Sequence, residues 1–435
     1  MSSAPDPTPS ASWPAAARLI ARWLERGERI DTLLDTLPRT LAGPERASCQ
    51  HLVLGVVRHF GRLDAALGRL IAHPPRFSTR AVLFVAGFEL IEAANSKTPE
   101  SEGLVPKIVH HAVEQTKSLA SPAEARLVNA VVRKLALALA QPAPPAHAPA
   151  EELAAFFSHP DWLVKSWLAQ FGPEATRALL EWNQRPSPVY ARWRDPDATR
   201  PDFLKPTKWP DFFEVESGRW REVEPLLKSG ALYLQDPSTG IPVALLAPEL
   251  NESVLDLCAA PGGKTLLIAD KMKSGKIIAV DLPGARLDRL KENLARARGV
   301  EPALVQCDVT EGLGVALREH RLPDSYDAVL LDAPCSNTGV MRHRVDVKWR
   351  LQAGDFKKHP RQQLSMLHAA ARFVRPGGRL VYSTCSIDRE ENEEVVRAFL
   401  AGKAGGPFTL GASIVSFPWK DGHDGGGAFL LRKNA

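Results

Sequence analysis

Residues 253 to 265 read SVLDLCAAPGGKT. A short apolar run ends in a turn of small residues with one proline and two glycines, and the helix-forming stretch KTLLIADKM follows. Strand, close-approach loop and helix in that order leave the free N–H groups of the helix start facing whatever lies above the loop. The alternation then repeats. KIIAVDL, PALVQCD, YDAVLLDAP and RLVYSTCS are short β-rich runs, and segments such as ARLDRLKENLARARG and RQQLSMLHAAARFV lie between them with helical spacing. Continuous apolar strands alternating with helices specify a parallel sheet covered on both faces. Residues 235 to 435 are therefore expected to form an α/β, Rossmann-like domain, with any ligand at the carboxyl ends of its strands.

Chemistry-bearing residues stand at those ends. CAAPGGKT follows the first strand, Asp281 the second, Asp308 the third, Asp332 with Pro334 and Cys335 the fourth, and Cys385 the fifth. An acid ending the second strand suits the two hydroxyls of a ribose, and Gly263 to Asp281 is close to the roughly twenty residues such a pair needs. The loop is neither GxGxxG nor GxxxxGK[ST], so a nucleoside without pyrophosphate fits better than a dinucleotide or a nucleoside triphosphate. A tight turn with helix-capping aspartates is the plain alternative for any one of these features; five at five successive strand ends argue for one crevice.

Upstream the organisation differs. From about residue 12 to 140 the apolar positions recur at three and four, with breaks at Gly, Pro and Ser, which predicts an all-α bundle. QPAPPAHAPA, residues 141 to 150, reads as an extended Pro/Ala linker that does not pack. Residues 151 to 234 mix two helical stretches with short strand-like runs (SPVYARWR, FFEVES, ALYLQD) and are expected to be a small α+β insert.

Composition narrows the class. The 435 residues are 44% hydrophobic and 24% charged, the profile of a soluble protein of two or three domains. There is no apolar run of membrane-spanning length and no secretory pattern at the start, so a cytoplasmic protein is expected. Five cysteines, without a CxxC pair, fit neither a disulfide scaffold nor a structural zinc site and suit a reducing compartment. The net charge is +5, and the first 150 residues hold 17 Lys+Arg against 13 Asp+Glu, compatible with a phosphate-backbone partner. His110 and His111 are adjacent and point to different helix faces, so no metal is expected. A monomer is expected.

LDLCAAPGGKT, LLDAPCSNTGV, DVKWR, RLVYSTCSI and EENEEVV closely resemble the Sun/Fmu (NOL/NOP/Sun-type) family of RNA cytosine-C5 methyltransferases, in the branch of the bacterial small-subunit rRNA methyltransferase B. GVVRHFGRLD and ARLVNAVVRKL are similar to the NusB-like RNA-binding domain of that branch. The resemblance implies a class I methyltransferase fold, S-adenosylmethionine as cofactor and 16S rRNA as partner. Two departures are visible: Asn337 replaces the family's usual Gly in PCSGTG, and DGHDGGGAF is richer in glycine than the usual DGFF.

By that resemblance Cys385 is the nucleophile and Cys335 assists release; the residues alone say only that one of the two thiols attacks. Asp332 is expected to hydrogen-bond the cytosine edge, best when partly protonated, and Lys264 to activate a thiol or orient the base. Cys258, Ala259, Ala260, Pro261, Gly262, Gly263 and Lys264 would form the cofactor loop, with Asp332 beside them. Asp281 would hold the ribose, Arg286 the same region, and Asp308 the adenine side. Arg342, Arg344, Lys348 and Arg350 are candidate RNA contacts. A nicotinamide dehydrogenase and a non-catalytic RNA-binding protein are the rival readings; the first lacks its GxGxxG here, and the second predicts a degraded site.

Overall fold

The computed structural model describes residues 11–38, 40–41, 43–96 and 103–435. Its chain divides into two compact units, one of residues up to Arg185 together with Lys348–Arg350, the other of Pro186–Val347 and Leu351–Ala435.

The first unit is helical: α1 (Ser12–Arg26), α2 (Ile30–Asp35), α3 (Gly43–Leu70), α4 (Phe77–Asn95), α5 (Leu104–Leu119), α6 (Ala125–Leu139), α7 (Ala150–Phe157), α8 (Asp161–Phe171) and α9 (Pro173–Gln184). Helix α4 is the hub. Every residue from Ala81 to Phe88 is buried, so it is apolar all round rather than on one stripe, and α1, α3, α5 and α6 surround it. Gly55 of α3 lies where the Phe88 ring leaves no room for a Cβ. Two expectations are corrected here. The Pro/Ala segment does pack, with Pro144 and Ala146 buried and the Arg177 guanidinium donating to the Pro144 carbonyl. Helices α7 to α9, assigned from sequence to the α+β insert, belong to the helical unit, because Leu153, Phe157, Leu163, Trp167 and Leu179 bury their apolar faces in it.

The second unit begins with β1 (Tyr190–Trp193), β2 (Leu204–Pro206), β3 (Phe212–Val215), α10 (Trp220–Ser229) and β4 (Leu232–Leu234), forming an antiparallel sheet of order β2-β3-β1-β4. It continues through α11 (Gly240–Leu246), β5 (Ser253–Leu257), α12 (Gly263–Lys271), β6 (Lys276–Asp281), α13 (Arg286–Leu294), β7 (Pro302–Gln306), α14 (Leu313–Glu319), β8 (Tyr326–Asp332), α15 (Val347–Arg350, whose last three residues belong to the first unit), α16 (Asp355–Ala371), β9 (Val374–Thr384), α17 (Glu393–Ala401), β10 (Phe408–Ser416), α18 (Pro418–Asp421) and β11 (Gly426–Lys433). These strands make a seven-stranded sheet of order β10-β11-β9-β8-β5-β6-β7. Strands β5 to β9 run parallel, and β11 and β10 close the edge as an antiparallel hairpin. Apolar clusters cover both faces, as the unbroken apolar strands require.

The chain proceeds from β5 outward to β6 and β7, then returns to place β8 and β9 on the other side of β5. That reversal opens a crevice at the carboxyl ends of β5 and β8. The small sheet is tied to the same region: Arg192 and Arg194 of the β1 segment both bond Asp270 of α12, at 2.8 and 2.7 Å, from almost fully buried positions. Their ion pairs set the β4 end, Tyr233 to Asp236, against the crevice.

Candidate active site

Two clefts meet at this crevice. The first, about 560 Å³, is lined by Tyr233, Gln235, Asp236, Asp256, Cys258 to Pro261, Gly263, Lys264 and Asp332. The second, about 420 Å³, is lined by Thr239, Lys264, Asp332, Thr384, Cys385, Asp424 and the following glycines, among others. Lys264 and Asp332 belong to both.

The first cleft is shaped by the β5–α12 loop. Gly262 adopts φ +104, and a Cβ on Gly263 would stand 3.0 Å from the Tyr233 ring and 3.1 Å from the Gln235 amide nitrogen, so a larger residue there would crowd these two cleft residues. Asp281 braces the loop: one carboxylate oxygen accepts from the Ala260 N–H at 2.8 Å, the other from Leu282 N–H at 2.8 Å. Arg286 approaches Asp281 at 3.7 Å from an exposed position. Asp308 accepts from both the N–H and the hydroxyl of Thr310. Asp281, Arg286, Asp308 and Gly262 are not among the residues lining this cleft.

At the second cleft the topology brings distant residues together. Asp332 and Ser383 face each other in the β8–β9 register, and the Ser383 hydroxyl donates to Asp332 Oδ1 at 2.9 Å. Lys264 Nζ donates to Asp332 Oδ2 at 2.6 Å. Burial alone would lower the Lys264 ammonium, but the Asp332 carboxylate outweighs it and the net shift is upward. Asp332 therefore accepts from two donors, an ammonium and a hydroxyl.

Beyond that pair lie the two thiols. Cys335 Sγ and Cys385 Sγ are 3.0 Å apart, and the Cys385 thiol donates to Asn337 Oδ1 at 3.2 Å. With that S–H directed at Asn337, the Cys335 S–H is left to donate to Cys385. The hydrogen bond to Cys385 first, and burial second, push the Cys335 thiol well above the usual range. Asn337 sits at φ +63, a left-handed conformation that asparagine tolerates, and its Nδ2 donates to the Cys335 carbonyl at 2.8 Å. The departure from glycine thus keeps the turn and adds a tether between the two cysteine loops.

The loops are held from behind by the EEN segment. Glu391 Oε2 accepts from Ser336 N–H at 3.0 Å and from Gln363 at 2.7 Å; Asn392 accepts from Thr384 at 2.7 Å and donates to the Ser386 carbonyl at 2.8 Å. The glycine-rich end leads into a hairpin in which β10 pairs with β11, with a register shift between Leu410 and Ser413. At Gly427 a Cβ would run into the Asn392 amide oxygen, so glycine there makes room for the brace.

Residues 243–407 match the family described as 16S rRNA methyltransferase RsmB/F, and residues 13–137 match the NusB family. The ribosomal RNA small subunit methyltransferase B of Sodalis glossinidius is 32% identical over 397 residues, covering 89% of this chain and 88% of that protein. The chain belongs to the ribosomal RNA small subunit methyltransferase B family. Its counterpart from Cronobacter sakazakii is 29% identical over 410 residues, covering 89% of both chains. Among solved structures, PH0851 superposes with a TM-score of 0.73 at 22% identity, covering 97% of this chain and 99% of that one. A methyltransferase homolog from Pyrococcus horikoshii gives 0.54 at 23% identity, covering 65% and 98%. These last two likenesses concern the fold.

Several site residues of this family member were not singled out from sequence: Tyr233, Gln235, Asp236, Asp256, Ser383 and Asp424. Asp256 left a signal, because a lone acid inside a strand buried on both faces is costly and calls for a reason. Asp424 is buried and bonded to His343 at 2.9 Å, and Asp236 comes within 4.8 Å of both. Two of the four expected RNA contacts are turned inward instead. Arg342 donates to the Pro186 carbonyl, and Lys348 is 1% exposed and donates to the Arg58 carbonyl within the helical unit. Burial lowers the Lys348 ammonium well below its ordinary value. Among the described residues no helix is long and apolar enough to cross a membrane.

Asp256 also supplies a pH prediction. Burial pushes its carboxyl up to about 7, partly offset by the Thr265 hydroxyl that donates to Oδ2. An unfolded aspartate titrates near ~3.9, so between about pH 4 and pH 7 the folded chain holds a proton that the unfolded chain has released. Stability from this group must fall as pH rises through that window, by roughly 4 kcal/mol in all. Thermal melts at pH 5 and pH 8 should show a larger drop for the natural chain than for Asp256→Asn; equal drops would refute the assignment.

Proposed function

We propose that this chain methylates carbon 5 of a cytosine in 16S rRNA with S-adenosylmethionine, through a transient bond between Cys385 Sγ and carbon 6 of the base. The observation that carries this reading is the thiol pair, 3.0 Å apart, in a cleft that shares Lys264 and Asp332 with the glycine-loop cleft. Carbon 5 of cytosine is a poor nucleophile, and addition of a thiolate to carbon 6 makes it the nucleophilic carbon of an enamine. Cys385 first gives up its S–H proton to solvent, and the resulting thiolate adds to carbon 6. Lys264 and Asp332 offer a donor and an acceptor to the polar edge of the ring while charge develops there. After methyl transfer the carbon-5 proton is lost to water and the carbon–sulfur bond breaks. Cys335, holding its proton, donates its S–H to the departing thiolate, which makes expulsion easier.

The residues of the first cleft fit S-adenosylmethionine. Asp256 Oδ1 is a buried carboxyl oxygen without a hydrogen-bond partner; on losing its proton to solvent the group would pair with the ammonium of the cofactor's amino-acid end, and Gly263 permits close approach. Asp281 would take the ribose and Asp308 the adenine side. When bound, the cofactor supplies an electrophilic methyl group on a sulfonium. The base must leave its stack to reach Cys385, so a single-stranded or flipped cytosine is implied. The helical unit, with its NusB-family match, is assigned to RNA binding.

The test is incubation with 16S rRNA and methyl-labelled S-adenosylmethionine, followed by nucleoside mass spectrometry and bisulfite mapping. Label in 5-methylcytidine at one position is expected; label on an exocyclic nitrogen or on another base would overturn the reading.

Asn337 gives a graded prediction. Asn337→Gly keeps the turn but frees the Cys385 thiol from its acceptor, so kcat should fall about three- to tenfold, near 1 kcal/mol, with KM for the cofactor within about twofold. Asn337→Ala adds left-handed strain of roughly 1–2 kcal/mol and should also lower the melting temperature. Steady-state kinetics and melts separate the two effects.

A further inference from the structure

The arrangement of the two thiols carries a consequence outside the methylation cycle. Cys385 is part-exposed at the wall of an open cleft, whereas Cys335 is 7% exposed and lies directly behind it. A sulfur that meets solvent first, backed at 3.0 Å by a second sulfur, is the layout in which oxidation is caught as a disulfide before it proceeds to irreversible acids. We propose that Cys335 and Cys385 are a peroxide-sensitive modification site, in which Cys385 is oxidised first and Cys335 resolves it to a reversible disulfide.

Each step balances. The Cys385 sulfur attacks one oxygen of a hydroperoxide; the S–O bond forms, the O–O bond breaks, and the leaving oxygen takes up the thiol proton, as water when the oxidant is hydrogen peroxide. The Cys335 sulfur then attacks the Cys385 sulfur; the S–S bond forms, the S–O bond breaks, and hydroxide departs with the Cys335 proton as water. Two thiols have lost two electrons, and the peroxide has gained them.

The surroundings favour this outcome. Both loops are tethered, Cys335 through Asn337 and Ser336, Cys385 through the bond from Gly339 N–H to its carbonyl at 3.0 Å. The sulfurs therefore have to close only about 1 Å, to an S–S bond of roughly 2.05 Å, by side-chain rotation and a small shift. Burial keeps the Cys335 thiol protonated, but its hydrogen bond to the Cys385 thiol is lost once Cys385 is oxidised, and the high effective concentration at 3.0 Å favours resolution over a second encounter with peroxide. Oxidised protein has neither thiol available; that this stops methyl transfer rests on the function proposed above.

The test treats the full chain with hydrogen peroxide, blocks residual thiols by alkylation, and reads intact mass and proteolytic peptides. A loss of about 2 Da, a cross-linked Cys335–Cys385 peptide and full reversal by dithiothreitol are expected. Cys335→Ala should instead gain about 16 and then 32 Da at Cys385 and not recover its mass with dithiothreitol once the second oxygen is added. Direct gain of oxygen at Cys385 in the natural chain, or a cross-link to Cys258 or Cys307, would overturn the proposal. These readouts need no RNA. If unoxidised protein makes no 5-methylcytidine, the functional reading fails alone; if it does, and the mapped disulfide leaves activity intact, the pair is not a switch.

Discussion

Cys385→Ala should abolish methyl transfer to 16S rRNA, with a fall in rate of at least about 10⁴-fold, near 5.5 kcal/mol. The size follows from the chemistry. Without a sulfur to add at carbon 6 the ring remains aromatic, and what is left is binding and orientation of two reactants that do not react readily with each other. The substitution removes one part-exposed sulfur at the end of β9, where it contacts Cys335 and Asn337, so the fold should persist and the melting temperature should move little. Cofactor affinity should be retained, since the first cleft does not include residue 385. Binding of S-adenosylmethionine by calorimetry alongside tritium transfer to RNA would show both. Retained transfer at a tenth of the natural rate would end the covalent mechanism.

Removal of the other thiol has a different signature. In the proposed mechanism Cys335→Ala leaves the nucleophile in place and takes away the S–H that assists its departure, so the adduct should form and then persist. Turnover should fall by roughly 10²–10⁴-fold, the range of one lost proton-handling group. A protein–RNA species should survive denaturing gels. The double variant Cys335→Ala/Cys385→Ala should lose that species completely, which separates a covalent adduct from tight binding. Free turnover by Cys335→Ala, with no gel-stable species, would show that release does not use this residue.

The legibility of this site in the sequence was uneven, for physical reasons. Strand ends were readable because the switch from apolar runs to small and polar residues is local, and a parallel sheet sends every such end to one edge. Cys335, Cys385, Asp332 and Lys264 were found that way, and all four come together. Asp256, Ser383 and the bracing pair Glu391 and Asn392 were not, since their roles depend on what lies across a sheet register or beneath a loop. Lys348 shows the opposite error. In sequence it is one cation among four; its partner is the Arg58 carbonyl, 290 residues away. The insert boundary was misplaced for a similar reason, because helical spacing shows that α7 to α9 have an apolar face but not which core buries it.

The sequence by itself determined the alternation of strand and helix, the glycine loop, the order of polar groups along the crevice edge and the two cysteines, all of which are short-range properties of spacing and turn chemistry. Tertiary structure alone decided that two sulfurs fifty positions apart stand 3.0 Å from each other, that Asn337 tethers one of them, and that Lys264 and Asp332 form a pair. Those depend on the reversal of strand order at β5 and on burial, which are sums over contacts distant in the chain.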